Sequence, residues 1–117
     1  MIPSVNSAIS ALQAYKSKMR VTANNIANVN TDEFKKSRAT LREGTNGDVQ
    51  VNVQQVHTPG TRYKALEEDR LAEKESSNVN LEEEIPDMMI TQRTYEANLK
   101  VLQTQNKMLG SVLDIMG

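Results

Sequence analysis

The stretch that decides the fold reads VNSAISALQAYKSKMRVTANNIANVN, residues 5–30. Within it Val5, Ala8, Leu12, Tyr15, Met19, Thr22, Ile26 and Val29 recur at alternating steps of three and four. That rhythm draws one narrow stripe along an α-helix, the pattern that coiled-coil packing requires. A second ladder keeps the same rhythm: Leu81, Ile85, Met88, Gln92, Tyr95, Leu99, Leu102, Asn106, Leu109, Leu113 and Met116. The two ladders predict a mainly α protein whose long N- and C-terminal helices pair as an antiparallel coiled coil around a small β-hairpin and loop insert. The expected division is 1–31 and 80–117 for the helical core and 32–79 for the insert.

Composition agrees with an assembling chain more than with a catalytic one. The 117 residues include one Phe, three Tyr and no Trp, so the large side chains that normally supply much of a globular core are scarce. Seams satisfied against other helices or other copies suit such a chain, and an oligomer is expected. No Cys is present, which removes disulfides and thiolate metal sites. No apolar run approaches the ~20 residues that cross a bilayer, so membrane insertion is not expected. No cleavable secretory leader is read either, so a chain that leaves the cytoplasm is expected to be exported without a cleaved signal peptide. Charge is unevenly spread. Residues 1–43 carry seven Lys/Arg against three acids, and residues 44–117 carry seven against twelve. Opposite signs on Lys16, Lys18 and Arg20 and on Glu82, Glu83, Glu84 and Asp87 are either solvated faces or an aid to helix pairing in register. Neither half is basic enough to indicate nucleic acid.

The first helix is expected from Ser4 to about Asn30, ended by Asn28, Asn30 and Thr31-Asp32, whose side chains compete for backbone hydrogen bonds. Asn46-Gly47 ahead of alternating Val49, Val51 and Val53 predicts a hairpin with strands near 35–43 and 48–57. Thr58-Pro59-Gly60 reads as a second turn. The charged run from Arg62 to Glu75 reads as a mobile loop or a weak helix. Asn80 with Glu83 resembles a capping box at the start of the second helix. Pro86 removes a backbone donor and crowds the carbonyl of Glu82, which predicts a kink or a restart near Ile85. Gln92 and Asn106 interrupt the second ladder. They either select register from a buried position or face solvent.

Catalytic arrangements are not found, and neither an enzymatic activity nor a cofactor is expected. His57, the single imidazole, sits in a predicted strand or turn with no serine elbow to join it. The acids at 82–84 are consecutive, so they radiate around a helix instead of converging on a metal. The glycines are scattered, with no phosphate-cradling loop. The methionines at 88, 89, 108 and 116 read as packing residues.

Two segments carry a more specific signal. Ala23-Asn24-Asn25-Ile26-Ala27-Asn28-Val29-Asn30-Thr31 with Phe34-Lys35 resembles the signature of the flagellar axial family, whose first helix closes on A-N-N-[IL]-A-N-x-x-T-x-G-[FY]-K. Ser77-Asn78-Val79-Asn80-Leu81-Glu82-Glu83-Glu84, continuing through Thr91-Gln92-Arg93-Thr94-Tyr95-Glu96-Ala97-Asn98, is similar to the same family's C-terminal segment, S-N-V-[DN]-L-x-x-E followed by Q-R-x-Y-x-A-N. The short insert resembles the small, proximal rod subunits of the basal body more than the hook protein. Two departures stand out. Glu33 occupies the place of the family glycine, which bears on whether that position needs positive φ. Pro86 falls where the family helix runs unbroken.

The resemblance implies a structural subunit of the bacterial flagellar basal-body rod that polymerises into a hollow axial tube after type III export. Its partners would be copies of itself, other flagellar rod proteins and the export apparatus, and its location the rod that spans the periplasm. The assembly interface so implied comprises Leu12, Tyr15, Met19, Asn24, Asn25, Ile26, Asn28, Phe34, Gln92, Arg93, Tyr95, Asn98, Leu99, Leu102 and Leu109. Asn24, Asn25, Asn28, Gln92, Arg93, Tyr95 and Asn98 would make its interhelix or intersubunit polar contacts, although the asparagine cluster also suits plain helix termination. The rival reading is a coiled-coil adaptor or export chaperone of the same secretion system, which would form a closed dimer.

Overall fold

A computed structural model describes residues 2–116. The chain runs α1 (Ile2–Ala27), β1 (Ser37–Glu43), β2 (Val49–Gln55), β3 (Arg62–Glu67), β4 (Arg70–Glu75) and α2 (Leu81–Met116). It is mainly α, with two small antiparallel sheets, β1–β2 and β3–β4. The principal extents are 80 × 25 × 20 Å.

Helix α1 starts at Ile2, earlier than the expected Ser4, and closes at Ala27, where the Asn28 amide turns back onto the carbonyls of Asn24 and Asn25. Helix α2 is continuous from Leu81, so the expected restart near Ile85 does not occur. Pro86 lies in the second turn, where it removes the bond to Glu82 and crowds that carbonyl without interrupting the helix. The start is secured by the Asn80 carbonyl, which accepts from the amides of Glu83 and Glu84. Acids at 82–84 also complement the positive end of the helix dipole.

The two helices lie side by side and antiparallel. Lys18 pairs with Asp87 at 3.5 Å, the Asn25 amide reaches Glu84, and Ala11 and Tyr15 share one groove with Thr94 and Asn98. The contact line therefore runs through Ala8, Ala11, Tyr15, Lys18, Thr22 and Asn25 on α1, and through Glu84, Asp87, Thr91, Thr94 and Asn98 on α2. Both lines keep the three-four rhythm. On α1 the contact line shares Ala8, Tyr15 and Thr22 with the expected ladder but takes Ala11, Lys18 and Asn25 in place of Leu12, Met19 and Ile26, a turn of about 50°. On α2 each contact residue precedes a ladder residue by one, a turn of about 100°. Ala8, Ala11 and Ala14 are buried, as are Thr22, Asn25 and Thr91. Leu12, Met19 and Ile26 are only half-buried, while Ile85, Leu99, Leu109 and Leu113 are exposed.

The displacement has a physical cause. Sheet β1–β2 also packs on α1, so α1 must serve two neighbours at once. Small side chains occupy that junction because they let backbones approach closely. Leu12, Met19 and Ile26 of the ladder are left on the other flank of the pair.

The first hairpin matches its expected strands closely, with Ser37 opposite Gln55 and Glu43 opposite Val49. Its loop is longer than a two-residue turn: the Gly44 amide donates to the Asp48 carbonyl, and Gly47 takes φ 77°. The hairpin is laid along α1 by side chains. Ser7 Oγ donates to the Gly47 carbonyl, and Ser10 Oγ accepts from the Val49 amide. Arg62–Glu75 forms a second hairpin, not the expected loop or weak helix. Glu67 pairs with Arg70 across Glu68 and Asp69, both at positive φ (50° and 61°). This is the backbone of a two-residue type I′ turn. The turn escapes sequence reading because an acidic pair replaces the usual Asn-Gly. Residues 56–61 form an extended connector in place of the expected turn at Thr58-Pro59-Gly60.

Candidate functional site

No group of His, Cys, Asp and Glu among the described residues could hold a metal ion. The chain's most specific architecture is instead a polar junction where α1 ends, the first hairpin begins and α2 starts. Two asparagines organise it. Asn25, only 1% exposed, donates from Nδ2 to the Ser37 carbonyl (2.8 Å) and accepts at Oδ1 from the Ser37 amide (3.0 Å). Its Nδ2 also lies 3.4 Å from Glu84 Oε2. One side chain thus mimics a β-strand partner for Ser37 and reaches the opposite helix. The carboxamide is suited to this because it carries a donor and an acceptor on one plane.

Asn78 does the same work from the other side. Its Oδ1 accepts from the Lys36 amide (2.7 Å), while Nδ2 donates to the carbonyls of Val56 (3.0 Å) and Thr58 (2.9 Å). It therefore ties the segment ahead of α2 to both ends of the first hairpin. Buried beside it are Ser77, whose Oγ accepts from the Val79 amide, and Val79. Charged pairs surround the junction. Lys36 faces Glu83 at 3.6 Å, and a cavity of about 320 Å³ is lined by Lys18, Lys36 and Arg38 with Glu83, Glu84 and Asp87.

The base of the second hairpin closes on the same region. Glu75 Oε1 accepts from Lys35 Nζ (2.6 Å) and from the Gly60 amide (2.7 Å). These two donors hold its carboxyl below the usual range, with the lysine contributing more. The Glu33 amide donates to the Glu75 carbonyl, and Glu33 takes φ 64°. The position does require the left-handed region that glycine occupies without strain. Tyr63 donates its hydroxyl to Asp32, which raises the phenol above its ordinary value.

The residues expected to form an assembly interface fall into four groups in the folded chain. Asn25 makes the interhelix contact just described. Asn24 and Asn28 serve the end of α1: Asn28 Nδ2 donates to the Asn24 carbonyl, and Asn28 Oδ1 accepts from Thr31. Gln92 and Asn98 bond within α2, to Glu96 and to the Thr94 carbonyl. The fourth group lies along the flanks, apart from Tyr15 on the contact line with α2. Leu12, Tyr15, Met19, Ile26, Phe34, Tyr95 and Leu102 are half-buried, whereas Arg93, Leu99 and Leu109 are exposed. Sequence reasoning missed Asn78, Glu75 and the serines of α1 as organising residues. The one signal for Asn78 was its place in the Ser-Asn-Val string.

Comparison with known proteins finds the same two segments. The Flagella basal body rod protein family matches residues 6–35. The Flagellar basal body rod FlgEFG protein C-terminal family matches residues 74–115. The Flagellar basal-body rod protein FlgG of Bacillus subtilis (strain 168) is 49% identical over 43 residues, which cover 37% of this chain and 16% of that protein. The matched segments contain Asn25 and Asn78, so the polar junction is built where both family segments meet.

Proposed function

The chain belongs to the flagellar basal-body rod family, and from that premise we propose that it polymerises through its terminal helices into a hollow axial tube after type III export. The family is structural and not enzymatic. The observation that carries the proposal is the mismatch between core and surface. Among the described residues the buried hydrophobic side chains are Ala8, Ala11, Ala14 and Val79, while Ile85, Leu99, Leu109 and Leu113 of the ladder stay exposed.

Alanine burial contributes little, because hydrophobic stabilisation scales with apolar area at roughly 25 cal/mol per Å². The stripe that a lone chain leaves bare is what an assembly would cover. In that assembly the helix pair packs as a coiled coil and the ladder flank meets neighbouring subunits. The implied interface then consists of Leu12, Met19 and Ile26 of α1 and Tyr95, Leu99, Leu102 and Leu109 of α2, while the junction asparagines hold each subunit in shape. Head-to-tail contacts that fail to close produce open helical filaments, which suits this role.

The test is far-UV circular dichroism and sedimentation of the full chain across a wide concentration range. Helicity and particle size that rise together support assembly. Full helicity in a monomer at every concentration overturns it, and a closed dimer that never extends favours the adaptor reading.

A further inference from the structure

The second hairpin and the last turns of α2 are both unpartnered within the chain. Hairpin β3–β4 packs on no other element of the described structure and is held only at its base. At its tip Leu66 and Leu71 sit directly opposite one another, 73% and 71% exposed. An isolated two-stranded hairpin is marginal in water, and a bare leucine pair at its end contributes almost nothing to holding it. On α2 the line that faces α1 continues in the same rhythm as Val101, Gln105, Met108, Val112 and Ile115. It becomes more apolar as it leaves α1, with Ile115 85% exposed.

The two patches lie at opposite ends of the molecule. Helix α2 accounts for about 54 Å at 1.5 Å per residue, against a longest extent of 80 Å. The remainder matches the ~20 Å of a six-residue hairpin that springs from the residues just ahead of α2. Their charges are also complementary. The tip carries Glu67, Glu68 and Asp69 against Arg70, whereas residues 97–113 carry Lys100 and Lys107 and no acid.

We propose that the β3–β4 tip of one copy docks on the Val101–Ile115 stripe of the next copy, with Leu66 and Leu71 against Met108 and Val112 and the acidic turn beside Lys107. The contact rests on the assembly reading above and specifies which surfaces of successive subunits meet. It is heterologous, so an array of any length keeps one free tip at one end and one free stripe at the other.

The absence of native cysteine makes the test direct. Full-length Leu66→Cys and full-length Val112→Cys chains are mixed and oxidised with copper phenanthroline in air, and the disulfide-linked dimers are identified by mass spectrometry. The tip-to-stripe dimer is expected well above the share that random pairing gives. Adding Lys100→Glu and Lys107→Glu to the Val112→Cys chain should lower its yield roughly tenfold, because like charges then face each other. Adding Glu68→Lys and Asp69→Lys to the other chain should restore it. Yields at or below the random share, or no response to charge reversal, overturn the proposal. A tip-to-stripe disulfide without filaments leaves this contact standing and removes the tube. Filaments without the disulfide do the reverse.

Discussion

Replacing Asn25 by alanine tests the junction at its most buried point. The side chain is 1% exposed and satisfies both the amide and the carbonyl of Ser37, at 3.0 and 2.8 Å. Each such bond is worth about 1 kcal/mol net, and a backbone group left desolvated without a partner costs more than that. The expected loss is therefore about 2–3 kcal/mol. With a urea dependence of about 1 kcal/mol per molar for a chain this small, the midpoint should fall by roughly 2 M. Asn25→Asp should cost at least as much at neutral pH. It keeps the acceptor, loses the donor, and places a second carboxylate about 3.4 Å from that of Glu84. Adding Glu84→Gln to Asn25→Asp should then recover part of the loss.

The assay is urea unfolding followed by far-UV circular dichroism, with all variants at one chain concentration so that assembly contributes equally. Amide exchange at Ser37 gives a local reading. The neighbouring Asn24→Ala, at an exposed position, is the control and should shift stability by no more than about 0.5 kcal/mol. If Asn25→Ala moves the midpoint no further than Asn24→Ala, or leaves Ser37 exchange unchanged, the reasoning about the junction fails.

Three further outcomes follow from the same geometry. Gly60→Ala should destabilise by about 1–3 kcal/mol in the same urea assay, because a Cβ there would fall on the Ser76 carbonyl oxygen and lie 3.0 Å from that of Ser77. A neutral result would mean the connector is free to move. Glu33→Gly should stabilise by up to about 1 kcal/mol, since relief of the left-handed backbone at φ 64° outweighs the added freedom of the unfolded glycine; a loss of stability would show that the Glu33 side chain contributes something unseen. Finally, the carboxyl of Glu75 is held low in the fold by Lys35 and Gly60, so its contribution is present above the unfolded carboxylate pKa and is lost as pH falls through the lowered folded value. Exchange at the Gly60 amide should accelerate in acid relative to that of Gly44, which bonds to a backbone carbonyl, and Glu75→Gln should remove the difference.

How far the fold was legible varies by element. The heptad rhythm of residues 5–29 and 81–116 located both helices, because periodicity is written in the chain whatever the partner. Asn46-Gly47 and the alternating valines located the first hairpin to within two residues. The second hairpin was not legible. Its turn uses Glu68 and Asp69 in a backbone conformation those residues rarely adopt, and its strands are too charged to show an apolar alternation. Pro86 argued for a kink or a restart near Ile85, but the helix runs unbroken from Leu81, and near a helix start the missing donor costs one bond that the later turns offset.

The sequence by itself determined that the chain has two stripe-bearing helices and too few large side chains to fill a core. It also carried the family signature at both ends. Only the tertiary structure decided which stripe faces which neighbour. A ladder read from sequence assumes one partner per helix, whereas α1 serves both α2 and the first sheet, so burial falls on Ala8, Ala11, Ala14, Thr22 and Asn25. Of the α1 ladder, Ala8 and Thr22 are buried in that three-way contact while Leu12, Met19 and Ile26 are left half-buried beside it. The roles of Asn25 and Asn78 emerged for the same reason. A carboxamide's hydrogen bonds go to backbone groups 12 to 42 residues away, and separations of that length leave no local period to read.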